Sequence, residues 1–226
     1  MSNNVPTVKL NNGVEMPTLG FGVFQVPDLS QAEQAVTDAL ETGYRLIDTA
    51  VAYQNEEAVG KAIKDSDIPR DQIWVTSKLW LQDYAYEEAK KAIDLSLKKL
   101  GLDYVDLYLV HQPYGKVDEA WQAMEEAQEA GKIRSIGVSN MTPKLWKKFV
   151  PDFDVMPAVN QVEFNPYFQQ KELRQIMAKM GLPLKLGHRL VKVTLSSFTN
   201  QSLPKWQKSM VRMLGKLSSA LNTKKG

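Results

Sequence analysis

The sequence predicts an α/β protein of the eight-stranded (β/α) type, a TIM-type barrel, incomplete in this chain and preceded by an N-terminal β-hairpin. Three observations carry that expectation. About six short apolar runs alternate with amphipathic helical stretches through mostly short connections, the pattern of a parallel sheet covered by helices. Nearly every run ends on a polar or charged residue, namely Asp48, Lys78, His111, Asn140 and Gln161, which is how such a barrel builds a site on one rim. An open nucleotide-binding sheet would want Gly-x-Gly-x-x-Gly after its first strand. Here Gly20-Phe21-Gly22 is followed by Val23-Phe24-Gln25, with no third glycine.

Each element has its own signal. Residues 8–10 and 14–16 are short runs flanking Asn11-Asn12-Gly13, and Asn-Gly between such runs reads as a hairpin. Residues 17–22 form the first strand. Ser30 is placed to N-cap a helix to about Glu41, with Ala32, Val36, Ala39 and Leu40 at helical spacing and Gly43 as its C-cap. The second strand is 45–48 and the helix after it 56–64. The third strand is 73–78, followed by a helix over 86–100 that Gly101 closes. The fourth strand, 104–110, runs into His111, and a helix over 117–130 stops at Gly131. The fifth strand, 133–138, leads to Ser139-Asn140. Thr142 and Pro143 then stand in cap and first-turn positions of a helix. The sixth strand is 158–162 and the last helix 171–179. Beyond about Met180 the periodicity breaks. Residues 184–195 show no clear alternation, 196–201 are mostly polar, and 210–221 read as a basic amphipathic helix. No seventh or eighth strand is expected.

Composition narrows the function classes. The 226 residues include no cysteine, which excludes disulfides and thiolate chemistry and suits a reducing compartment. Two histidines make a multi-His metal site a poor reading, so no metal is expected. No apolar run approaches the ~18–20 residues of a membrane span, and the start Met1-Ser2-Asn3-Asn4 is unlike a signal peptide. A cytoplasmic protein without a membrane partner is the expectation. The net charge of +2 hides an asymmetry: residues 181–226 hold nine Lys and Arg and no acid, leaving 19 of the 28 basic and all 26 acidic residues in 1–180. The chain therefore reads as a barrel part, 1–180, and a basic tail, 181–226.

Successive strand ends bring Asp48, Tyr53, Lys78 and His111 to one rim. Reduction of a carbonyl needs a hydride on carbon and a proton on oxygen. A free tyrosine, with pKa about 10, is a reluctant acid. A lysine beside it is expected to lower that value, and a carboxylate keeps the lysine charged and oriented. An imidazole can hydrogen-bond the carbonyl oxygen. Each residue alone has a plainer reading: Asp48 as an N-cap, Tyr53 as rim packing, His111 as a structural histidine. The four together point to a site.

Three segments sharpen this. Gly43-Tyr44-Arg45-Leu46-Ile47-Asp48-Thr49-Ala50, continuing through Glu57 and Gly60, resembles the first signature of the aldo-keto reductases. Leu102-Asp103-Tyr104-Val105-Asp106-Leu107-Tyr108-Leu109-Val110-His111 resembles their histidine segment, and Gly131-Lys132-Ile133-Arg134-Ser135-Ile136-Gly137-Val138-Ser139-Asn140 another signature. The resemblance runs from about Val8 to Lys179 and is greatest to bacterial members acting on small dicarbonyls and keto-sugars. It implies an NADPH-dependent reductase with Tyr53 as proton donor, Lys78 and Asp48 as its tuning pair and His111 orienting the substrate. It implies that Ser139, Asn140 and Gln161 hold the nicotinamide carboxamide, with Asp48 and the Gly22-Val23-Phe24 turn along the cofactor. Trp80 and Phe24 are candidate walls for a small carbonyl substrate, and a monomer is implied.

The family continues with a seventh strand, an eighth, and a segment for the NADPH 2′-phosphate, which the tail does not resemble. A reading-frame shift after about residue 181 is the expected cause. Starting each codon at the third base of the one before permits family-like strings over 183–194 and 204–226. It forces Ala at Trp206-Gln207 and Gly at Met210-Val211. Six strands would leave two exposed edges and uncovered helix faces, so low stability, aggregation and weak NADPH binding are expected. The alternative is an inactive truncated pseudoenzyme, or a binding protein with a basic tail. That tail carries no nucleic-acid recognition motif, so no specific nucleic-acid partner is expected.

Overall fold

A computed structural model describes residues 5–165 and 167–187. The expected polar stretch over 196–201 and basic helix over 210–221 lie outside the described residues.

Strands β1 (Thr7–Lys9) and β2 (Glu15–Pro17) form the antiparallel hairpin, with Gly13 at φ +86°, a left-handed position that glycine reaches without cost from a Cβ. Five further strands follow the expected order: β3 (Phe21–Gly22), β4 (Leu46–Asp48), β5 (Trp74–Leu79), β6 (Val105–Val110) and β7 (Ile133–Ser139). They continue through β8 (Asn160–Glu163) to β9 (Leu184–Gly187), all parallel and in sequential order. Helices α1 (Leu29–Thr42), α2 (Glu56–Lys64), α3 (Tyr86–Leu100), α4 (Val117–Glu129), α5 (Pro143–Phe149) and α6 (Lys171–Lys179) fall within two residues of their expected bounds where those were stated.

Two expectations need correction. The cap of α1 is Asp28, whose carboxylate accepts from the Gln31 amide at 2.8 Å; Ser30 already lies inside the helix. The sheet also has a seventh parallel strand. Residues 184–187 pair with β8 along its whole length, Asn160 opposite Leu184 through Glu163 opposite Gly187. The Leu184-Lys185-Leu186 alternation between Pro183 and Gly187 is a strand signal, but it spans only four residues and is diluted in any longer window.

Period-two alternation sorts the strands into two faces. Ile47, Val75, Tyr108, Val110, Ile136 and Val138 pack outward against the helices. Leu46, Trp74, Leu107, Leu109 and Val159 point inward, where Leu10 and Met16 of the hairpin region join them as a floor. Asn12 fastens the hairpin, donating to the Arg134 carbonyl and the Ser135 hydroxyl at 3.0 Å each. Further along the same inward rows stand Asp48 above Leu46, Thr76 and Lys78 above Trp74, and His111 above Leu109. The rim that carries the polar residues is the continuation of the inward apolar layer.

Helix α2 approaches α3 through Gly60. A Cβ there would lie 2.0 Å from the Leu100 carbonyl oxygen. Away from the rim, the carboxylate of Asp106 accepts from Arg70 at 2.9 Å, Arg134 at 2.7 Å and the Val75 amide at 2.9 Å, tying β5, β6 and β7 together.

Candidate active site

Lys78 is the centre of the rim. Its side chain is 1% exposed, and an ammonium that deep needs a partner for each N–H. It has three: a carboxylate oxygen of Asp48, the Thr49 carbonyl oxygen at 2.6 Å, and the Tyr53 hydroxyl at a long 3.5 Å. Asp48 comes from the end of β4 and Lys78 from β5, so strand register puts them together. Tyr53 arrives through a single 3-10 turn, Val51–Tyr53, that folds back over the strand end.

Asp48 holds both its oxygens in ion pairs. Oδ1 takes Lys78, and Oδ2 takes Lys185 of β9 at 2.5 Å. Burial works to raise its pKa, but the two lysine charges and their hydrogen bonds outweigh it and bring the value to about 2. With the backbone oxygen accepting from the Val23 amide at 3.1 Å, Asp48 has its polar groups engaged by the protein itself.

Tyr53 departs from the sequence expectation. Its pKa lies well above the ordinary value, first because it is buried and second because Asp48 is nearby. The lysine does not lower it, since the Lys78 charge is spent on a carboxylate in direct contact. A raised phenol is a filled one: Tyr53 carries its proton throughout the neutral range.

His111 follows β6 and is 8% exposed. Its pKa is lowered to about 4, by burial and then by the Lys78 cation, with Asp48 opposing. The imidazole is therefore neutral at pH 7. Its backbone is held on both sides, donating to Leu79 O at 3.2 Å and accepting from Asn140 Nδ2 at 3.0 Å. The Tyr84 hydroxyl donates to Gln112 O and accepts from Gln112 N, each at 2.9 Å, which stiffens the turn after His111. His111 Nδ1 is buried and has no partner among the described residues. Rings surround it: Tyr53 at 5.7 Å and Trp80 at 5.2 Å, both edge-on, with Phe24 at 4.8 Å from Tyr53. Phe24, Tyr53, His111 and Trp80 thus form one aromatic row beside Lys78.

The residues expected to hold the carboxamide also converge. The Ser139 hydroxyl donates to Gln161 O at 2.9 Å and accepts from Asn140 Nδ2 at 3.2 Å, while the Asn140 amide donates to Gln161 O at 2.8 Å. Asn140 sits at φ +59°, a left-handed turn that asparagine tolerates. Gln161 Oε1 is a buried acceptor with no donor among the described residues, so an N–H of a carboxamide is a group of the right kind to complete it. Gly22 lies opposite Asp48 in the β3–β4 pair, and a Cβ there would make ordinary contact only. Val23 is fully buried. Its amide donates to Asp48 and its carbonyl accepts from Asn55 Nδ2 at 3.0 Å, so it shapes the turn and its N–H is not available to a cofactor.

Sequence reasoning missed Lys185, the Thr49 carbonyl and Tyr84. Lys185 had a faint local signal in its alternating strand. The other two act through contacts 28 or 29 residues away in sequence and had none.

Several known proteins resemble this chain. A family model described as "Aldo/keto reductase family" matches residues 18–224. Glyoxal reductase of Bacillus subtilis (strain 168) is 43% identical over 211 residues, covering 92% of this chain and 76% of that protein. Morphine 6-dehydrogenase of Pseudomonas putida is 46% identical over 185 residues, 80% of this chain and 62% of the other. An aldo/keto reductase crystal structure from Brucella melitensis superposes with TM-score 0.79 at 46% identity, over 86% of this chain and 78% of that one. A Bombyx mori aldo-keto reductase solved in complex with NADP gives TM-score 0.74 at 37% identity, over 80% and 65% of the two chains.

Proposed function

The chain belongs to the aldo/keto reductase family, and on that premise we propose that it is an NADPH-dependent oxidoreductase reducing small dicarbonyls or keto-sugars, with Tyr53 as the proton donor. One observation carries the reading: Asp48, Lys78, Tyr53 and His111 meet on one rim, with the phenol protonated and the imidazole neutral at pH 7. Similarity to glyoxal reductase favours the dicarbonyl class.

Ser139, Asn140 and Gln161 are the groups that would hold the nicotinamide carboxamide, with the Gly22 turn alongside. The bound cofactor supplies the hydride. The chain's own residues supply the rest. His111, neutral, donates a hydrogen bond to the carbonyl oxygen and orients it. Tyr53 gives its hydroxyl proton to that oxygen as the alkoxide develops, forming the O–H bond of the alcohol. The phenolate left behind faces the Lys78 ammonium, and water returns the proton. Phe24 and Trp80 wall the substrate and keep water from the reacting atoms.

The test is NADPH oxidation with methylglyoxal, followed by absorbance, beside cofactor binding followed by fluorescence. Wild type is expected to turn over, and Tyr53→Phe to bind NADPH within a few-fold of wild type while losing turnover. A wild-type protein that binds NADPH but reduces no aldehyde or ketone would falsify the proposal.

A further inference from the structure

Strand β9 carries a second lysine into the rim. Lys185 stands opposite Gln161 in the β8–β9 register, so both side chains share the inner face. Its ammonium lies 2.5 Å from Asp48 Oδ2 and 3.3 Å from Thr76 Oγ1, and the side chain is 11% exposed. The contact joins β9 to β4, residues 137 apart in sequence and with four strands between them in the sheet. Lys78 has taken the other oxygen. One largely buried carboxylate is thus paired with two ammonium groups, one on each oxygen.

Charge and geometry say what this arrangement does. Desolvating an ammonium costs several kcal/mol unless a counter-charge is in contact. Asp48 already neutralises Lys78, so a second cation is not needed for that pair. It does change the carboxylate. With Lys78 alone, Asp48 can turn about its last torsion and exchange its two oxygens. With Oδ2 tied to Lys185, only Oδ1 is left for Lys78, and Lys78 is held where it meets the Thr49 carbonyl and faces Tyr53. Burial lowers the pKa of Lys185, Asp48 raises it again, and Lys78 adds to the lowering.

We infer that Lys185 is a positioning residue for carbonyl reduction: it clamps Asp48 Oδ2, so that Asp48 Oδ1 and Lys78 stay aimed at the Tyr53 hydroxyl. The role rests on the reading of Tyr53 as proton donor. The groups that set the charge at this point are Asp48 on β4, Thr76 and Lys78 on β5, Tyr53 in the 3-10 turn, His111 after β6 and Gln161 on β8. Glu56 on α2 acts from behind β5.

Two readouts test it in the full chain, on Lys185→Met and Lys185→Arg, with Lys185→Gln replacing the methionine variant if that fails to fold. The first needs no turnover: the Asp48 carboxyl carbon is titrated by NMR and identified by its loss in Asp48→Asn. Removing Lys185 is expected to move the Asp48 midpoint up by about one pH unit, and arginine to restore it. The second is the split between kcat and KM. Loss of the clamp is expected to lower kcat about tenfold with KM little changed, and arginine to restore it. An Asp48 midpoint and a kcat both unchanged in Lys185→Met overturn the clamp and leave the proposed function standing. A midpoint that moves in Lys185→Met while kcat stays at the wild-type value overturns the positioning role alone; a wild type that reduces no carbonyl overturns that role together with the proposed function.

Discussion

Lys78 Nζ stands 3.5 Å from the Tyr53 hydroxyl and 4.9 Å from the centre of the same ring. The ammonium is thus close to both the oxygen and the ring of one side chain, with Asp48 behind it. Phenolate formed at Tyr53 would gain a charge-assisted hydrogen bond that the neutral phenol has only weakly. Replacing Lys78 by Met is expected to lower kcat for aldehyde reduction by about 10²–10⁴-fold, with cofactor affinity changed far less. Steady-state kinetics beside fluorescence binding checks this; equal losses in both would argue that Lys78 only holds the fold.

His111 links the site to acid stability. Its folded value of about 4 lies below the ordinary 6.5, so the unfolded chain takes up the proton first. Its contribution is present above about pH 6.5 and is lost as pH falls through 4, on the order of 3 kcal/mol in full. Asp48, at about 2 against 3.8, loses its contribution only below that range. Urea unfolding of wild type should weaken between pH 6.5 and 4.5, and His111→Gln should flatten that slope. Parallel curves for the two proteins would count against a buried neutral imidazole.

Glu56 has the opposite sign. It is 2% exposed, accepts from Ser77 Oγ at 2.6 Å and from Ser96 Oγ, and burial raises its pKa. A raised carboxyl favours the fold while protonated. That stability is full below the ordinary value and is lost as pH rises through the folded one. Glu56→Gln keeps an acceptor for both serines without the charge, so it is expected to raise stability at pH 7 and to change it little at pH 4. Thermal unfolding at the two pH values decides it; a lower melting temperature at pH 7 would contradict the assignment.

Gly60 is a packing position. A methyl group there would meet the carbonyl oxygen, carbon and Cα of Leu100 at 2.0–2.8 Å, atoms of a helix end that cannot rotate away. Gly60→Ala would gain helix propensity, about 1 kcal/mol, and is still expected to lose about 2–3 kcal/mol net by forcing α2 from α3. Chemical denaturation measures it. A stabilised alanine variant would mean the two helices do not approach this closely.

Much of the fold was legible because its signals are local. The Asn-Gly turn, the Thr142-Pro143 cap, the glycines closing α1 and α3, and the spacing of Ala89, Ile93 and Leu97 each act within a few residues. The cap of α1 was misread because Asp28 and Ser30 are both good cap residues, and only the backbone path selects between them. Strand β9 was missed because its four residues gain their order from pairing with β8. Asp48, Tyr53, Lys78 and His111 were visible as strand-end residues in a known pattern, and their convergence followed from alternation of strands and helices.

What the sequence determined by itself was therefore the order of elements, the family, and the polar residues on one rim. Tertiary structure decided how those residues titrate and which ones share a partner. Burial pushed Tyr53 up where a neighbouring lysine was expected to lower it, and it held His111 neutral. The curl of the sheet brought Lys185 of β9 onto the free oxygen of Asp48. The physical reason is that desolvation and charge pairing depend on distances through space, and residues 137 positions apart leave no local trace of their contact in the chain.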